Sequence, residues 1–205
     1  MHRLLLVRHG ETEGNSAERF WGQTDVGLSD VGLRQAEQLG DQLSLENISL
    51  VCSSDLCRAL QTADTIASLH GLVVIACQEL REVDFGSVEG MTYGEISQKY
   101  PDLVRSWFNW GPSFRFPDGE SIADVNNRVT RFLHRLEEHT KEETIVVAAH
   151  SGVLRLLICK LLGMELRHWR QIRLDLASIS IVEAYSEAVI LSSLNDVSHL
   201  QCKGG

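Results

Sequence analysis

The sequence has little of what marks fibrous, disordered or membrane-spanning chains. Only 3 of its 205 residues are proline, 43% are apolar and 23% are charged, which excludes a collagen-like or intrinsically disordered chain. No apolar run approaches the roughly 20 residues that span a bilayer, and the apolar stretch in MHRLLLV is too short for a signal peptide. We therefore expect a single cytoplasmic domain over residues 1–205, a length that can bury one substantial core.

Positive charge is also scarce, since 19 lysines and arginines face 28 aspartates and glutamates and the formal net charge is −9. This excess disfavours binding to nucleic acid or to an anionic membrane, so any anionic ligand must be held by a local cluster of cations.

The cysteines are five in number and scattered, which indicates buried free thiols in a reducing compartment. We expect no metal and no cofactor. The oligomeric state stays open, with a dimer as one possibility.

Short β-branched runs alternate with longer helical patterns along the chain. This alternation predicts an α/β three-layer sandwich, with a mostly parallel central sheet flanked by helices. The predicted strands are 3–7, 49–52, 73–76, 144–149, 178–184 and 188–194. Crossover helices are predicted over 30–44 and 55–69. Residues 84–143 lack a strand pattern and predict a helical insertion over the active site, with helical pieces at 92–100, 101–109 and 122–139.

Cationic side chains follow three of these strands at the point where each strand ends. Arg8 and His9 end the first, Arg58 lies on the first turn of the helix after the second, and His150 and Ser151 follow the fourth. Because ligands bind at the carboxyl ends of parallel strands, we expect these side chains to converge there. The helix that begins at Ser151 adds unpaired backbone N–H groups and the positive end of a helix dipole. The pattern predicts a phosphate-binding pocket.

Each of these residues has a simpler explanation when it is taken alone. His9 would then be a structural or surface histidine, Arg58 a solvated helix charge and His150 a helix cap. Their joint position at three strand ends favours the pocket instead. A further arginine series is spaced as one face of a helix and indicates a solvated surface rather than a second anion site: Arg128, Arg131 and Arg135.

Four motifs, in chain order, carry a resemblance to a known family. LVRHGETEGN, SSDLCRALQTA, LREVDFGSVEG and VVAAHSGVLR resemble the motifs of the histidine phosphatase superfamily, also called the phosphoglycerate mutase-like fold. The resemblance implies that His9 is the nucleophile and Glu82 the proton donor. It also implies a phosphate clamp formed by Arg8, Asn15, Arg58 and His150.

These residue types suit phosphoryl transfer, which depends on positioning and on stabilising charge on three equatorial oxygens. Guanidiniums bind phosphate oxygens in a bidentate manner and keep their charge, so two arginines and an imidazolium can replace a metal ion. His9 must attack with a neutral nitrogen while its other nitrogen is held by a hydrogen bond, for which we expect the carbonyl of Gly10. Attack gives a phosphohistidine that water then hydrolyses.

The leaving alkoxide needs a proton, and QELREVDFGSVEG contains several acids. Motif register favours Glu82, with Glu89 as the alternative. A third interpretation makes Glu82 structural, as a salt-bridge partner of Arg81. A bound phosphate favours the protonated form of a neighbouring carboxyl, as a general acid requires.

Departures from the mutase pattern bear on the substrate. In the mutases a small hydroxyl residue precedes the glycine of this motif, whereas here Trp21 precedes Gly22. Phe85 stands where the mutases tend to have tyrosine. DFGSVEGMTYGEI with FPDGES is similar to the alpha-ribazole phosphatase branch, which acts in the nucleotide-loop part of cobalamin synthesis. This implies alpha-ribazole 5'-phosphate as the small phosphorylated substrate, with Trp21, Gly22 and Phe85 as candidate contacts. The aromatic base could also stack on Trp107, Phe108 or Trp110. A broad-specificity phosphatase, a mutase and a non-catalytic binding protein are the alternatives.

Overall fold

A six-stranded sheet forms the centre of the computed structural model, which describes residues 2–13, 19–107, 114–137 and 143–200. The strands are β1 (His2–Arg8), β2 (Ile48–Ser53), β3 (Val74–Ala76), β4 (Thr144–Ala149), β5 (Ile179–Ala184) and β6 (Val189–Asp196). The helices are α1 (Asp30–Leu43), α2 (Cys57–Leu69), α3 (Tyr93–Lys99), α4 (Pro101–Trp107), α5 (Ile122–Glu137) and α6 (Ser151–Leu161). Every predicted strand is present, with bounds shifted by two residues at most.

The strand order is β3-β2-β4-β1-β5-β6. The first four of these strands pair in parallel, whereas β5 pairs antiparallel with both β1 and β6. A tight turn joins β5 to β6, in which the amide of Tyr185 donates to the carbonyl of Ala188 over 2.8 Å. So short a connection allows only an antiparallel pair. The predicted α/β class and mostly parallel sheet are confirmed.

Helices cover both faces of the sheet, and β1 shows how the sequence specifies this. Leu4 and Leu6 pack into the layer that contains α5 and α6, while Leu5 and Val7 pack against α1 and α2. Successive side chains of a strand point to opposite faces, so a continuous apolar run is buried on both sides. Shortening one of these buried leucines to alanine costs about 2–5 kcal/mol of stability.

The described part of residues 84–143 contains α3, α4 and α5 and none of the sheet strands. Thr92 caps α3 with a reciprocal pair of bonds to Glu95, the arrangement called a capping box. Pro101 stands at the first position of α4, where a missing backbone N–H costs nothing. The ends of the predicted helices beyond Trp107 and Glu137 lie outside the described residues.

Four cysteines, Cys52, Cys57, Cys77 and Cys159, are free thiols, and Cys202 lies outside the described residues. Cys57 is only half-buried, which corrects the expectation that these thiols are buried. No described helix combines the length and the apolar character needed to cross a bilayer. The cytoplasmic location stays a prediction.

The carboxyl ends of three strands lie side by side at one edge of the sheet. Arg8 of β1 is level with Ala149 of β4, and Ser53 of β2 is level with Ala148. The backbone amide of His9 continues the ladder by donating to the carbonyl of Ala149 over 3.0 Å. The residues that follow β1, β2 and β4 therefore meet in one place, as the sequence predicts.

Candidate active site

His9 lies directly after β1 and is 6% exposed. Its Nδ1 donates to the carbonyl of Gly10 over 2.7 Å, which is the partner expected from the sequence. The proton is thus held on Nδ1, and Nε2 carries the lone pair. Burial, followed by the positive charges of Arg58 and Arg8, holds the pKa of His9 well below its ordinary value. The geometry gives a neutral imidazole with a nucleophilic nitrogen.

His150 is fully buried at the N-terminus of α6. Its Nε2 lies 2.9 Å from Oγ of Ser54, and its Nδ1 accepts from Nε of Arg58 over 3.2 Å. Burial, then the charge of Arg58, lowers the pKa of His150 well below the ordinary value. Because Nδ1 accepts, the proton of the neutral ring is on Nε2. Its ring stands beside that of His9, with 5.0 Å between centroids.

Arg58 is 1% exposed, so the interpretation as a solvated helix charge is wrong. Its Nη1 donates to the carbonyl of Thr24 over 3.0 Å and its Nη2 to that of Gly22 over 2.6 Å. Glycine at position 22 permits the close packing of Glu89 against this loop, because a Cβ there would lie 2.2 Å from Oε1 of Glu89. Burial lowers the pKa of Arg58, which Glu82 opposes most strongly among the neighbouring charges. These bonds fix the guanidinium next to His150.

Arg8 reaches from the end of β1 and donates from Nη1 to the carbonyl of Leu174 over 2.6 Å. Its Nε is buried and has no hydrogen-bond partner among the described residues. Burial lowers the pKa of this arginine to about 10, so it keeps its charge at neutral pH. A partly buried cation whose Nε donor is unused is suited to binding an anion.

Glu82 is 8% exposed, and its carboxylate is held by two backbone amides. Oε1 accepts from Val83 over 2.9 Å and Oε2 accepts from Gly152, in the first turn of α6, over 3.0 Å. Gly152 permits this contact, since a Cβ there would lie 2.4 Å from Oε1. The carboxyl of Glu82 is thereby placed beside the N-terminus of α6, directly after the N-cap residue His150.

The alternatives to Glu82 have other partners in the structure. Glu89 accepts from the backbone amides of Gln23 and Thr24 over 2.6 and 2.7 Å, so its carboxylate closes a loop. Arg81 pairs with Asp55 at 2.6 Å, so the salt bridge between Arg81 and Glu82 is not formed. The geometry thus favours Glu82 over Glu89, as the motif register does.

A cleft of about 380 Å³ opens beside Glu82. Ser151 and Gly152 form part of its wall, together with two chemical groups of side chains. The arginines are Arg8, Arg19, Arg155 and Arg170, and the aromatic residues are Phe20, Trp21, Phe85 and Trp169. Trp21 Nε1 and Arg155 Nε are buried without a hydrogen-bond partner among the described residues. This cleft, called the leaving-group cleft after the role that we propose for it below, is amphipathic and cationic, with Arg19 paired to Glu95 at 3.1 Å.

Phe85 contacts two other phenylalanine rings edge to face, Phe20 at 5.5 Å and Phe116 at 4.9 Å between centroids. Gly22 contributes its carbonyl to Arg58 rather than lining the leaving-group cleft. Asn15, Phe108 and Trp110 lie outside the described residues, and the side chain of Trp107 is not described. Among the described residues, no group of three His, Cys, Asp or Glu could hold a metal ion.

The sequence model of the histidine phosphatase superfamily (branch 1) matches residues 4–197, nearly the whole chain. The chain belongs to the histidine phosphatase superfamily. Members of this superfamily are enzymes that act on small phosphorylated substrates. The family thus agrees with the resemblance carried by the four motifs.

Relatives within the histidine phosphatase superfamily have several different names. Phosphoserine phosphatase 1 of Hydrogenobacter thermophilus is 36% identical over 98% of this chain and 95% of its own. The probable phosphoglycerate mutase GpmB of Proteus mirabilis is 34% identical over 98% and 95% of the two chains. A crystal structure of a putative alpha-ribazole-5'-P phosphatase from Escherichia coli superposes with a TM-score of 0.89 at 32% identity, covering 95% and 96%. The names of these relatives thus include both phosphatases and a mutase.

Sequence reasoning missed several residues of this histidine phosphatase site, among them Arg155 and Ser54. Arg155 lies four residues after Ser151 on α6, so helical spacing places both on the same side of that helix. Ser54 directly follows β2 and contacts His150. Both stand inside quoted motifs, and the spacing of Arg155 could have identified it. Nothing in the sequence marks Ser54, because its contact with His150 arises only when β2 and β4 lie side by side in the sheet.

Proposed function

We propose that the protein hydrolyses phosphomonoesters in two steps through a phosphohistidine on His9. In the first step Nε2 attacks phosphorus, the bond from phosphorus to the ester oxygen breaks, and Glu82 gives its proton to the leaving alcohol. In the second step water attacks phosphorus, the bond to Nε2 breaks, and the Glu82 carboxylate takes the proton of the water. The observation that carries this proposal is the bond from Nδ1 of His9 to Gly10, which leaves Nε2 unprotonated.

Two guanidiniums surround the reacting phosphoryl group in this proposal. Arg8 offers its unused Nε–H group. Arg58 has five N–H groups, of which four donate to protein acceptors and one remains available. A bound phosphate dianion favours the protonated form of His150, whose Nδ1 would then donate to a phosphate oxygen instead of accepting from Arg58, and the Nε–H of Arg58 would become available to the phosphate as well. Asn15 and the backbone amide of Ser151 are proposed as further phosphate contacts. Together they would stabilise the negative charge of the transition state.

The leaving-group cleft supports alpha-ribazole 5'-phosphate as the substrate. Trp21 and Phe85 line it, and stacking of an aromatic base on one such ring contributes about 1 kcal/mol beyond its burial. The likeness to a structure titled a putative alpha-ribazole-5'-P phosphatase supports the same choice.

A specific observation favours a second candidate, a phosphomonoester whose alcohol carries a carboxylate. Arg8 and Arg155 both line the leaving-group cleft, and the Nε of each is buried without a hydrogen-bond partner among the described residues. The phosphate would use the donor of Arg8, and a carboxylate on the leaving group would use that of Arg155. Phosphoserine and 3-phosphoglycerate have this chemistry.

A side-by-side assay tests the proposed function and separates the two candidates. Phosphate release is measured from alpha-ribazole 5'-phosphate, phosphoserine and 3-phosphoglycerate for the wild type and for Arg155→Met. The first candidate predicts the highest kcat/KM for the ribazole ester and little effect of the substitution. The second predicts a preference for phosphoserine that Arg155→Met removes, whereas Arg167→Met, an exposed arginine paired with Glu165, leaves it intact. Conversion of 3-phosphoglycerate to its 2-isomer would restore the mutase alternative, and failure to hydrolyse any ester would contradict the proposal.

A further inference from the structure

Arg128 on α5 is 7% exposed, although its spacing with Arg131 and Arg135 predicts a solvated face. The prediction is wrong for this residue because Glu120 lies against it. Nε of Arg128 donates to Oε1 of Glu120, and Nη2 donates to Oε2, both over 2.9 Å. This is a bidentate ion pair with little access to water, and the reaction proposed above gives it no part.

The remaining N–H groups of Arg128 donate to backbone carbonyls in the segment that carries Glu82, the proposed proton donor. Nη1 donates to the carbonyl of Glu79 over 2.8 Å and to that of Arg81, and Nη2 donates to the carbonyl of Glu82 over 2.9 Å. All five N–H groups of the guanidinium are thereby used. Three carbonyls within four residues are held by one planar, charged group, which removes the freedom of this segment to rotate.

Glu120 holds the other side of the same segment. Its Oε2 accepts from the backbone amide of Asp84 over 3.0 Å, and its own amide donates to the carbonyl of Asp84 over 2.9 Å. The ion pair thus contacts the chain on both sides of residue 82. The carboxyl of Glu82 extends from this fixed backbone to the amide of Gly152 on α6.

We propose that the buried Glu120–Arg128 pair is a positioning device that holds the carboxyl of Glu82 where it can protonate the leaving group. This inference rests on the proposed function, because it assigns a role to residues that act through Glu82. Proton transfer requires the donor within hydrogen-bond reach of the leaving oxygen. A displacement of about 1 Å in a catalytic group can lower a rate by about 10²-fold.

Arg135 provides a matched control on the same helix. It lies seven residues after Arg128, and its Nη2 pairs with the side chain of Glu79 at 3.2 Å. The Arg135 side chain is half exposed and has no hydrogen bond to a backbone carbonyl among the described residues. Arg135→Met therefore removes an ion pair from α5 and the same segment without removing the support of the backbone at residue 82.

The test compares leaving groups in Arg128→Lys, Arg128→Met, Glu120→Gln and Arg135→Met. For the first three variants we expect kcat/KM for an alkyl phosphate to fall by about 10²-fold. The value for p-nitrophenyl phosphate, whose leaving group needs no proton, should stay within about threefold of the wild type. Inhibition by inorganic phosphate should be unchanged, and Arg135→Met should match the wild type. Thermal melts identify any variant that does not fold, and Glu120→Gln keeps the size of the side chain.

A second comparison separates positioning from a general loss of active protein. In a Glu82→Gln background, Arg128→Lys and Glu120→Gln should cause no further loss on the alkyl phosphate, because the group they position is already absent. An equal loss in both backgrounds, or an equal loss for both leaving groups, would overturn the inference while leaving the proposed function intact. If the wild type hydrolyses neither ester, the proposed function itself fails and the inference fails with it.

Discussion

The imidazole rings of His9 and His150 lie 5.0 Å apart between centroids and are inclined at 59°. They follow two neighbouring parallel strands, and both are shielded from solvent. Burial and nearby guanidiniums lower the pKa of each ring well below the ordinary value. The two rings are therefore neutral neighbours, which leaves a lone pair on His9 Nε2 and makes the stability of the fold depend on pH.

Stability should fall as the pH drops below about 6.5, the ordinary pKa of histidine. There the unfolded chain takes up protons on His9 and His150 while the folded chain does not, so lower pH favours unfolding. Each histidine contributes up to about 1.4 kcal/mol per pH unit. Urea titrations between pH 7.5 and 5.5 should show a shallower loss for His9→Gln than for the wild type. His134→Gln, which replaces an exposed histidine, serves as the control. Parallel curves of unfolding free energy against pH for the wild type and His9→Gln would contradict the account.

Replacing Glu82 by glutamine should keep phosphate binding and slow turnover by about 10²- to 10⁴-fold, the usual contribution of a positioned acid. The loss should shrink for a good leaving group such as nitrophenol, since that group departs without a proton. Glu89→Gln should instead affect all leaving groups equally, because Glu89 anchors the amides of Gln23 and Thr24. The measurement is kcat/KM over a series of esters, and a uniform loss in Glu82→Gln would assign this residue to binding.

Gly22→Ala should destabilise the protein by about 1–3 kcal/mol, the usual cost of overpacking. The added Cβ would lie 2.2 Å from Oε1 of Glu89 and 2.5 Å from the carbonyl of Val83, and it would displace the carbonyl that Arg58 binds. Inhibition by phosphate should weaken as well. Gly94→Ala is the matched control, because that position lies on α3 with only a 3.9 Å contact and alanine favours a helix. A stable Gly22→Ala variant with normal phosphate inhibition would show that the contact is unimportant.

Activity should survive exhaustive treatment with a chelator. Arg8 and Arg58 are fixed by protein contacts and can supply the positive charge that a metal ion supplies in other phosphoryl-transfer sites. The assay compares phosphate release before and after chelation and then after addition of magnesium or zinc. Loss of activity that only added metal restores would mean that the charge at the site is incomplete.

The sequence predicts the position of the site better than the role of its supporting groups. Apolar runs and the polar residues that end them are local signals, so Arg8, His9 and His150 could be placed at strand ends without a structure. Burial of Arg128 depends on Glu120, eight residues earlier, and on carbonyls of a segment almost fifty residues away. A helical spacing of arginines is identical whether such partners exist or not. The interpretation as a solvated face fails at Arg128 for that reason.

The central claim is that His9 carries the phosphoryl group between the two steps, and trapping the enzyme during turnover tests it most directly. Rapid quenching in alkali with a labelled phosphomonoester, followed by proteolysis and mass spectrometry, should yield one phosphopeptide that contains His9. The label should be lost in acid, as expected for a phosphorus–nitrogen bond. His9→Ala should show neither label nor turnover. A label on another residue, or normal turnover in His9→Ala, would contradict the account.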